Sequence, residues 1–186
     1  MKKVFFVLSM LFIATITNAQ DKFFTKTGKV SFDATATKSP ENITGVNKST
    51  TMVLDTKDGN MQFLILMKGF EFERALMQEH FHENYVETSK FPKADFKGSI
   101  TNNATVNYTK DGVYNVAVKG KLTIHGVTKD VETTGKITVK GGKISAFANF
   151  SILLADYNVS IPSLVADKVA KNAKISVDCS LELLKR

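Results

Sequence analysis

The sequence predicts an all-β protein built as a single antiparallel β-barrel of about eight strands, with one or two short helices. Apolar and polar residues alternate over most of the chain after residue 20, which is the period of a strand with one buried face. Turn signals such as Asp58-Gly59 and Gly141-Gly142 interrupt the alternation. Paired glycines and Asp-Gly between strands are typical of tight antiparallel hairpins.

The strands can be placed in order along the chain. One face of the first strand is formed by Val30, Phe32 and Ala34. The run 61–68 is apolar on both faces, since Leu64 and Leu66 alternate with other apolar residues, so we expect both faces of this strand to be covered.

The second half of the chain continues the same pattern up to a strand that can close the barrel. Even spacing of apolar residues predicts a strand from Tyr114 to Ile124, and Gly126 then turns the chain back. The Gly141-Gly142 pair joins the next two strands. The last strand, 173–184, is predicted to pair with the first and remove both exposed edges.

Two segments depart from the β pattern. Residues 73–80 are mostly good helix formers. Ser163, which follows Pro162, is a suitable cap for a short helix through Leu164 to Val169. We expect both segments to be short helices or structured crossings near the mouth of the barrel.

The first 19 residues have the pattern of a secretory signal peptide. Lys2 and Lys3 precede the apolar run 4–16, and small residues Thr17 and Ala19 stand at cleavage spacing. We therefore expect residues 1–19 to be removed and residues 20–186 to form one domain, in a periplasmic or secreted protein. Its only cysteine, Cys179, excludes an internal disulfide and is predicted to be a small core residue.

Charge and composition argue against nucleic-acid binding. The formal charge is +7, but nearly all of the basic residues are Lys, and Arg occurs only as Arg74 and Arg186. The planar forks that suit phosphates and base edges are therefore nearly missing. A weak association with anionic membrane surfaces remains possible, and the sequence leaves the oligomeric state open.

Aromatic and Met residues are concentrated between residues 60 and 100. Six phenylalanines lie there, and the whole chain has no Trp. Such a cluster suits a flexible apolar lining for a ligand, but composition alone favours an ordinary filled core, as in a β module used for protein interaction.

Two segments resemble a known family. Residues 83–98, ENYVETSKFPKADFKG, and 120–131, GKLTIHGVTKDV, are similar to motifs of the YceI-like family of secreted lipid-binding barrels. Residues 28–32 and 155–162 extend this resemblance over most of the chain. It implies a lipocalin-like barrel that holds a polyisoprenoid or another long apolar chain as carrier or store, with a lipid ligand and no other cofactor. The residues it suggests for the ligand-binding interior are Phe63, Ile65, Met67, Phe70, Phe72, Leu76, Met77, Phe81, Tyr85, Phe91 and Phe96.

Catalysis is not expected, because no Gly-x-Ser-x-Gly turn and no phosphate-binding glycine loop is present. The alternative is a metal-dependent enzyme or sensor that uses His80, His82 and His125. In an extended segment His80 and His82 would share a face and could chelate a metal, whereas in a helix they would diverge. We therefore assign no catalytic and no metal-binding residue.

Overall fold

A closed antiparallel sheet forms the body of the protein. The computed structural model describes residues 22–184, so the predicted signal peptide at 1–19 lies outside the described residues. The strands are β1 (Lys22–Thr35), β2 (Thr44–Asp55), β3 (Asn60–Leu66), β4 (Phe70–Phe72), β5 (Lys93–Ile100), β6 (Gly112–Ile124), β7 (Val127–Lys140), β8 (Lys143–Leu153) and β9 (Val169–Leu183).

Eight of these strands close into a barrel. The order is β1-β9-β8-β7-β6-β5-β3-β2, and β2 pairs with β1 to complete the circle. Val30 of β1 lies opposite Val177 of β9 on one side and Asn47 of β2 on the other. The predicted antiparallel barrel, closed by the last strand against the first, is confirmed.

β4 is the continuation of a strand that is broken at Met67–Gly69. β3 pairs with the second half of β2 and β4 with its first half, and a single 3-10 turn separates them. Asn47 is fully buried at the break, where its Nδ2 donates to the carbonyl of Leu66 at 2.9 Å and its Oδ1 accepts from the backbone N–H of Ser49 at 2.9 Å. The side chain thus satisfies backbone groups that the interrupted ladder leaves unpaired.

Two hairpins have two-residue turns with both φ angles positive. These are His125-Gly126, with φ of 51° and 74°, and Gly141-Gly142, with φ of 56° and 74°. Positive φ at both positions is the type I′ arrangement, whose twist matches that of the flanking strands. The hairpins predicted at these positions are confirmed.

The expectation that β3 is covered on both faces is wrong. Leu64 is 40% exposed and Leu66 is 49% exposed, whereas Ile65 between them is buried. A barrel has one interior, and no part of the described chain, residues 22–184, covers Leu64 and Leu66 on the outer face of β3. The apolar outer residues therefore lie at the surface.

The helical predictions are confirmed at one segment and wrong in part at the other. Helix α1 (Ala75–His80) continues directly into a π-helical turn, Phe81–Tyr85. After Pro162 the chain forms only a 3-10 turn, Ser163–Val165. Val169, which was expected in a helix, begins β9 because it pairs with Thr35 of β1. Among residues 22–184 no helix is long and apolar enough to cross a membrane.

The interior is divided into two levels. We call the end at which β1 finishes and β2 begins the upper end. The lower level is a packed cluster, here called the lower core, and Cys179 is fully buried within it, in the place expected of a core residue. Its buried members are Met52, Leu54, Met61, Ile100, Val106, Val116, Ile137, Val139, Ile144, Ala146, Cys179 and Leu181. The upper level contains a cavity.

Candidate functional site

The upper half of the barrel encloses an apolar cavity of about 330 Å³. Its walls are the upper parts of the strands. α1, the π-helical turn and the segment 154–165 contribute residues at the open end. A volume of this order is in the range of small-molecule sites.

Eight of the eleven residues predicted for the ligand-binding interior line this cavity. They are Ile65, Met67, Phe70, Phe72, Leu76, Met77, Phe81 and Tyr85. The other three lie elsewhere. Phe63 and Phe96 pack against the lower core, and the ring of Phe91 lies edge-on to His125, with the ring centroids 4.5 Å apart. Contact of any of these residues with a ligand stays a prediction.

The sequence did not single out the other half of the lining, which comes from several strands and from the segments that connect them. These residues include Val30, Phe32, Ile43, Val86, Ala94, Leu122, Ile124, Ile152, Leu154, Tyr157, Val159, Val165, Val169 and Ile175. Alternation marks many of them as facing inward. It does not reveal which inward residues lie beside the cavity and which lie in the lower core.

Phe81 is the centre of an aromatic cluster in the cavity wall. It is 6% exposed, and its ring centroid lies 4.9 Å from that of Phe72, 5.4 Å from that of Phe70 and 5.7 Å from that of Phe32. The rings are tilted against one another, which is a favourable arrangement for aromatic quadrupoles. The cluster anchors the π-helical turn to β1 and β4 and supplies a large apolar surface.

Polar groups in the lining are few. Nη1 of Arg74 lies 2.9 Å from Oε1 of Glu41, and both side chains are exposed. His80 and Lys168 also contribute to the lining. Burial raises the pKa of the Tyr85 and Tyr157 phenols, so both stay neutral near neutral pH. A molecule in the cavity would meet apolar walls and a small number of donors.

The three histidines of the metal hypothesis do not converge. His80 lines the cavity, the ring of His82 lies edge-on to Phe81, and Nδ1 of His125 donates to the carbonyl oxygen of Tyr157 at 3.1 Å. Within the described part of the chain, no group of three or more His, Cys, Asp or Glu side chains is placed to hold a metal ion.

The closed barrel with an apolar cavity at one end defines a lipocalin-like protein. The chain matches the YceI-like domain family over residues 11–181 and belongs to that family.

Solved structures share the fold at low sequence identity. A polyisoprenoid binding domain from Saccharophagus degradans, implicated in plant cell wall breakdown, superposes with a TM-score of 0.76 at 15% identity over 89% of this chain and 100% of that chain. BcnA of Burkholderia cenocepacia gives 0.67 at 18% identity, over 83% and 96%. The Campylobacter jejuni YCEI protein gives 0.59 at 18%, over 78% and 87%. Comparison with curated proteins gives no match.

Proposed function

We propose that this protein binds one long apolar lipid chain, a polyisoprenoid or a fatty chain, in the upper cavity. The observation that supports this most directly is the cavity itself, since an apolar space with few polar groups is suited to a ligand without many hydrogen-bonding groups. Each CH₂ removed from water contributes about 0.8 kcal/mol, so a chain of modest length has ample driving force for binding. The structural neighbour described as a polyisoprenoid binding domain supports the same ligand class.

The protein acts in this proposal as an exported carrier or store in the periplasm or outside the cell. The support is the pattern of residues 1–19, a basic start followed by an apolar run and small residues. Removal of residues 1–19 takes away Lys2 and Lys3 and leaves 25 − 2 = 23 basic residues against 18 acidic ones. This excess supports a weak association with anionic membrane surfaces where a lipid is taken up or released. Binding and transport of this kind require no catalytic residue.

The test is mass spectrometry of the gently purified protein, followed by solvent extraction and identification of the extracted species. We expect a stoichiometric polyprenyl or fatty species. An empty protein that also takes up no added isoprenoid would contradict the proposal and favour a module for protein interaction.

A matched pair of variants on β3 ties this binding to the cavity. Ile65→Glu places a charge in the cavity wall and should abolish retention of the lipid, because a buried charge and an apolar chain are incompatible. Leu64→Glu changes the neighbouring residue, which is exposed on the outer face, and should retain it. Circular dichroism shows whether both variants are folded. Equal retention by two folded variants would place the lipid elsewhere.

A further inference from the structure

The cavity ends halfway down the barrel, at the same level on neighbouring strands. On β3 the deepest lining residue is Ile65, and the next inward residue is Phe63. On β5 the deepest lining residue is Ala94, and the next inward residue is Phe96. Two phenylalanine rings therefore stand where the cavity stops.

The two rings form one unit across the sheet. Phe63 and Phe96 are directly paired between β3 and β5, and their ring centroids lie 6.1 Å apart with the planes at 69°. Both pack against the lower core. Phe63 also packs against the cluster that contains Phe81, and Phe96 against the cluster that contains Leu122. The pair thus separates the lower core from the upper level.

Glycines on the same strand and on the adjacent strand make room for the Phe96 ring. Gly98 and Gly120 lie opposite each other on β5 and β6, and a Cβ on either would stand 2.6 Å from Cζ of Phe96. The ring therefore lies against a patch of wall that has no side chains of its own. Larger residues at these positions would push the ring out of its place.

Below the rings the interior is filled. Met61 is 6% exposed, Ile100 is 2% exposed and Val116 is 4% exposed, and all three belong to the lower core. A chain that enters from the upper end cannot pass this level unless it displaces close-packed side chains, which is costly in a protein interior.

We propose that Phe63 and Phe96, which lie directly below the deepest lining residues Ile65 and Ala94, form a layer, here called the floor, that closes the cavity from below and sets the length of the apolar chain that the protein binds. The inference rests on the proposed function and adds to it a limit on the ligand. Affinity should rise with chain length until the chain end reaches the two rings. Further units must then stay near the mouth, where they remain exposed to water and add little.

The experiment measures affinity for a series of prenols, from geraniol through farnesol and geranylgeraniol to longer polyprenols. Because the chain contains no Trp, binding is followed by displacement of a fluorescent fatty probe. We expect the affinity of the unchanged protein to increase about tenfold per added isoprene unit and then to level off.

Two variants should change the depth of the cavity in opposite directions. Phe96→Ala removes a ring and should shift the levelling-off point to a longer prenol. Ala94→Leu fills space just above the floor and should shift it to a shorter one. If Phe96→Ala does not fold, Ala94→Leu still tests the inference, because its added atoms point into an open space.

The matched control is Met61→Ala, two residues below Phe63 on the same strand and within the lower core. It also removes buried volume and should lower the melting temperature, but it should leave the preferred chain length unchanged.

Three results would overturn the inference. They are an affinity that keeps rising with length, a levelling-off point that neither Phe96→Ala nor Ala94→Leu moves, and a shift produced equally by Met61→Ala. If no prenol binds the unchanged protein, the proposed function itself is contradicted, and so is the inference about the floor, which rests on it.

Discussion

Nε2 of His125 lies 3.0 Å from Oε2 of Glu87, and this contact ties the segment beside the cavity mouth to the barrel. Nδ1 of the same ring faces the carbonyl oxygen of Tyr157. A carboxylate and a carbonyl oxygen only accept hydrogen bonds, so both contacts form together only when the imidazole carries two protons. The side chain of His125 is 9% exposed. We call this arrangement the His125 junction.

Replacement of His125 should loosen the cover of the cavity. We expect His125→Ala to lower the free energy of unfolding, because it removes the hydrogen bonds of the ring with Glu87 and with the carbonyl oxygen of Tyr157, both partly shielded from water. Amide exchange should accelerate at Val86 and Thr88, whose N–H groups bond within the same segment. The control is Lys121→Ala, which breaks an exposed ion pair with Asp130 and should cost less than about 1 kcal/mol. Equal effects of the two variants would refute the structural role of the junction.

Acid should weaken the same junction. Hydrogen bonds from Lys90, and then from His125, hold the pKa of the Glu87 carboxyl below its ordinary value. Since the pKa is lower in the folded state, the stabilisation is complete above the unfolded pKa and is lost as the pH falls through the folded pKa. Protection factors of residues 86–91 should fall in that acidic range, and Glu87→Gln should abolish the pH-dependent step. A step that persists in Glu87→Gln would assign the effect to another group.

The break between β3 and β4 should depend on Asn47. Asn47→Ala removes the side-chain partner of the carbonyl of Leu66 and of the N–H of Ser49. Because each hydrogen bond contributes about 0.5–1.5 kcal/mol, we expect the loss of both to cost about 1–3 kcal/mol. Denaturant unfolding measures this loss. Asn60→Ala serves as the control, since Asn60 is exposed and its side chain donates to the carboxylate of Asp58 in the adjacent turn. We expect a change within about 0.5 kcal/mol.

Gly98 should not tolerate a side chain. A Cβ at this position would meet the carbonyl oxygen of Lys119 and would stand 2.8 Å from Cα of Gly120, both of which are backbone atoms of the adjacent strand. Gly98→Ala should therefore separate β5 from β6 and lower stability by about 1–3 kcal/mol. Thermal unfolding measures this loss. The control is Ser99→Ala, at the next residue on the opposite face of β5, which should leave the stability nearly unchanged. A neutral Gly98→Ala would show that the strands can move apart at little cost.

Cys179 should be inert until the protein unfolds. Burial raises the pKa of its thiol to about 12, so the nucleophilic thiolate is nearly absent at neutral pH. A thiol reagent should modify it only in denaturant. Because the pKa of the thiol is higher in the folded than in the unfolded state, its contribution to the free energy of unfolding is complete below the unfolded pKa. This contribution is lost as the pH rises through the folded pKa. Cys179→Ser should make the free energy of unfolding fall less steeply at alkaline pH. Rapid modification of the native protein by the thiol reagent would contradict the burial of Cys179.

Alternation and turn chemistry were sufficient to predict most of the fold. The Gly141-Gly142 turn and the pairing of the last strand with the first depend on local φ preferences and on a period of two, and both can be read from the sequence. The exposure of Leu64 and Leu66 could not be predicted from the sequence. The same apolar residues suit both a strand buried on two faces and a barrel strand with an uncovered outer face.

The candidate site was predicted for one stretch of chain only. Residues 65–85 stand together in the sequence, and eight predicted residues from that stretch line the cavity. Leu122, Ile152 and Ile175 join them from strands far along the chain. Phe63 and Phe96 were expected beside the other aromatic residues of the lining, but they lie below them. Inward side chains two positions apart on a strand, such as Phe63 and Ile65, occupy different levels of the barrel, because a strand rises about 3.3 Å per residue.

The sequence by itself determined the family, through the motifs in residues 83–98 and 120–131. It also determined the strand order that hairpins impose and the apolar character of the interior, since these depend on periodicity and on turn residues. Only the tertiary structure decided where the interior is filled and where it is open. That division depends on contacts between strands, such as the contact of the Phe96 ring with Gly120 of the adjacent strand β6, and these contacts join residues that are distant along the chain.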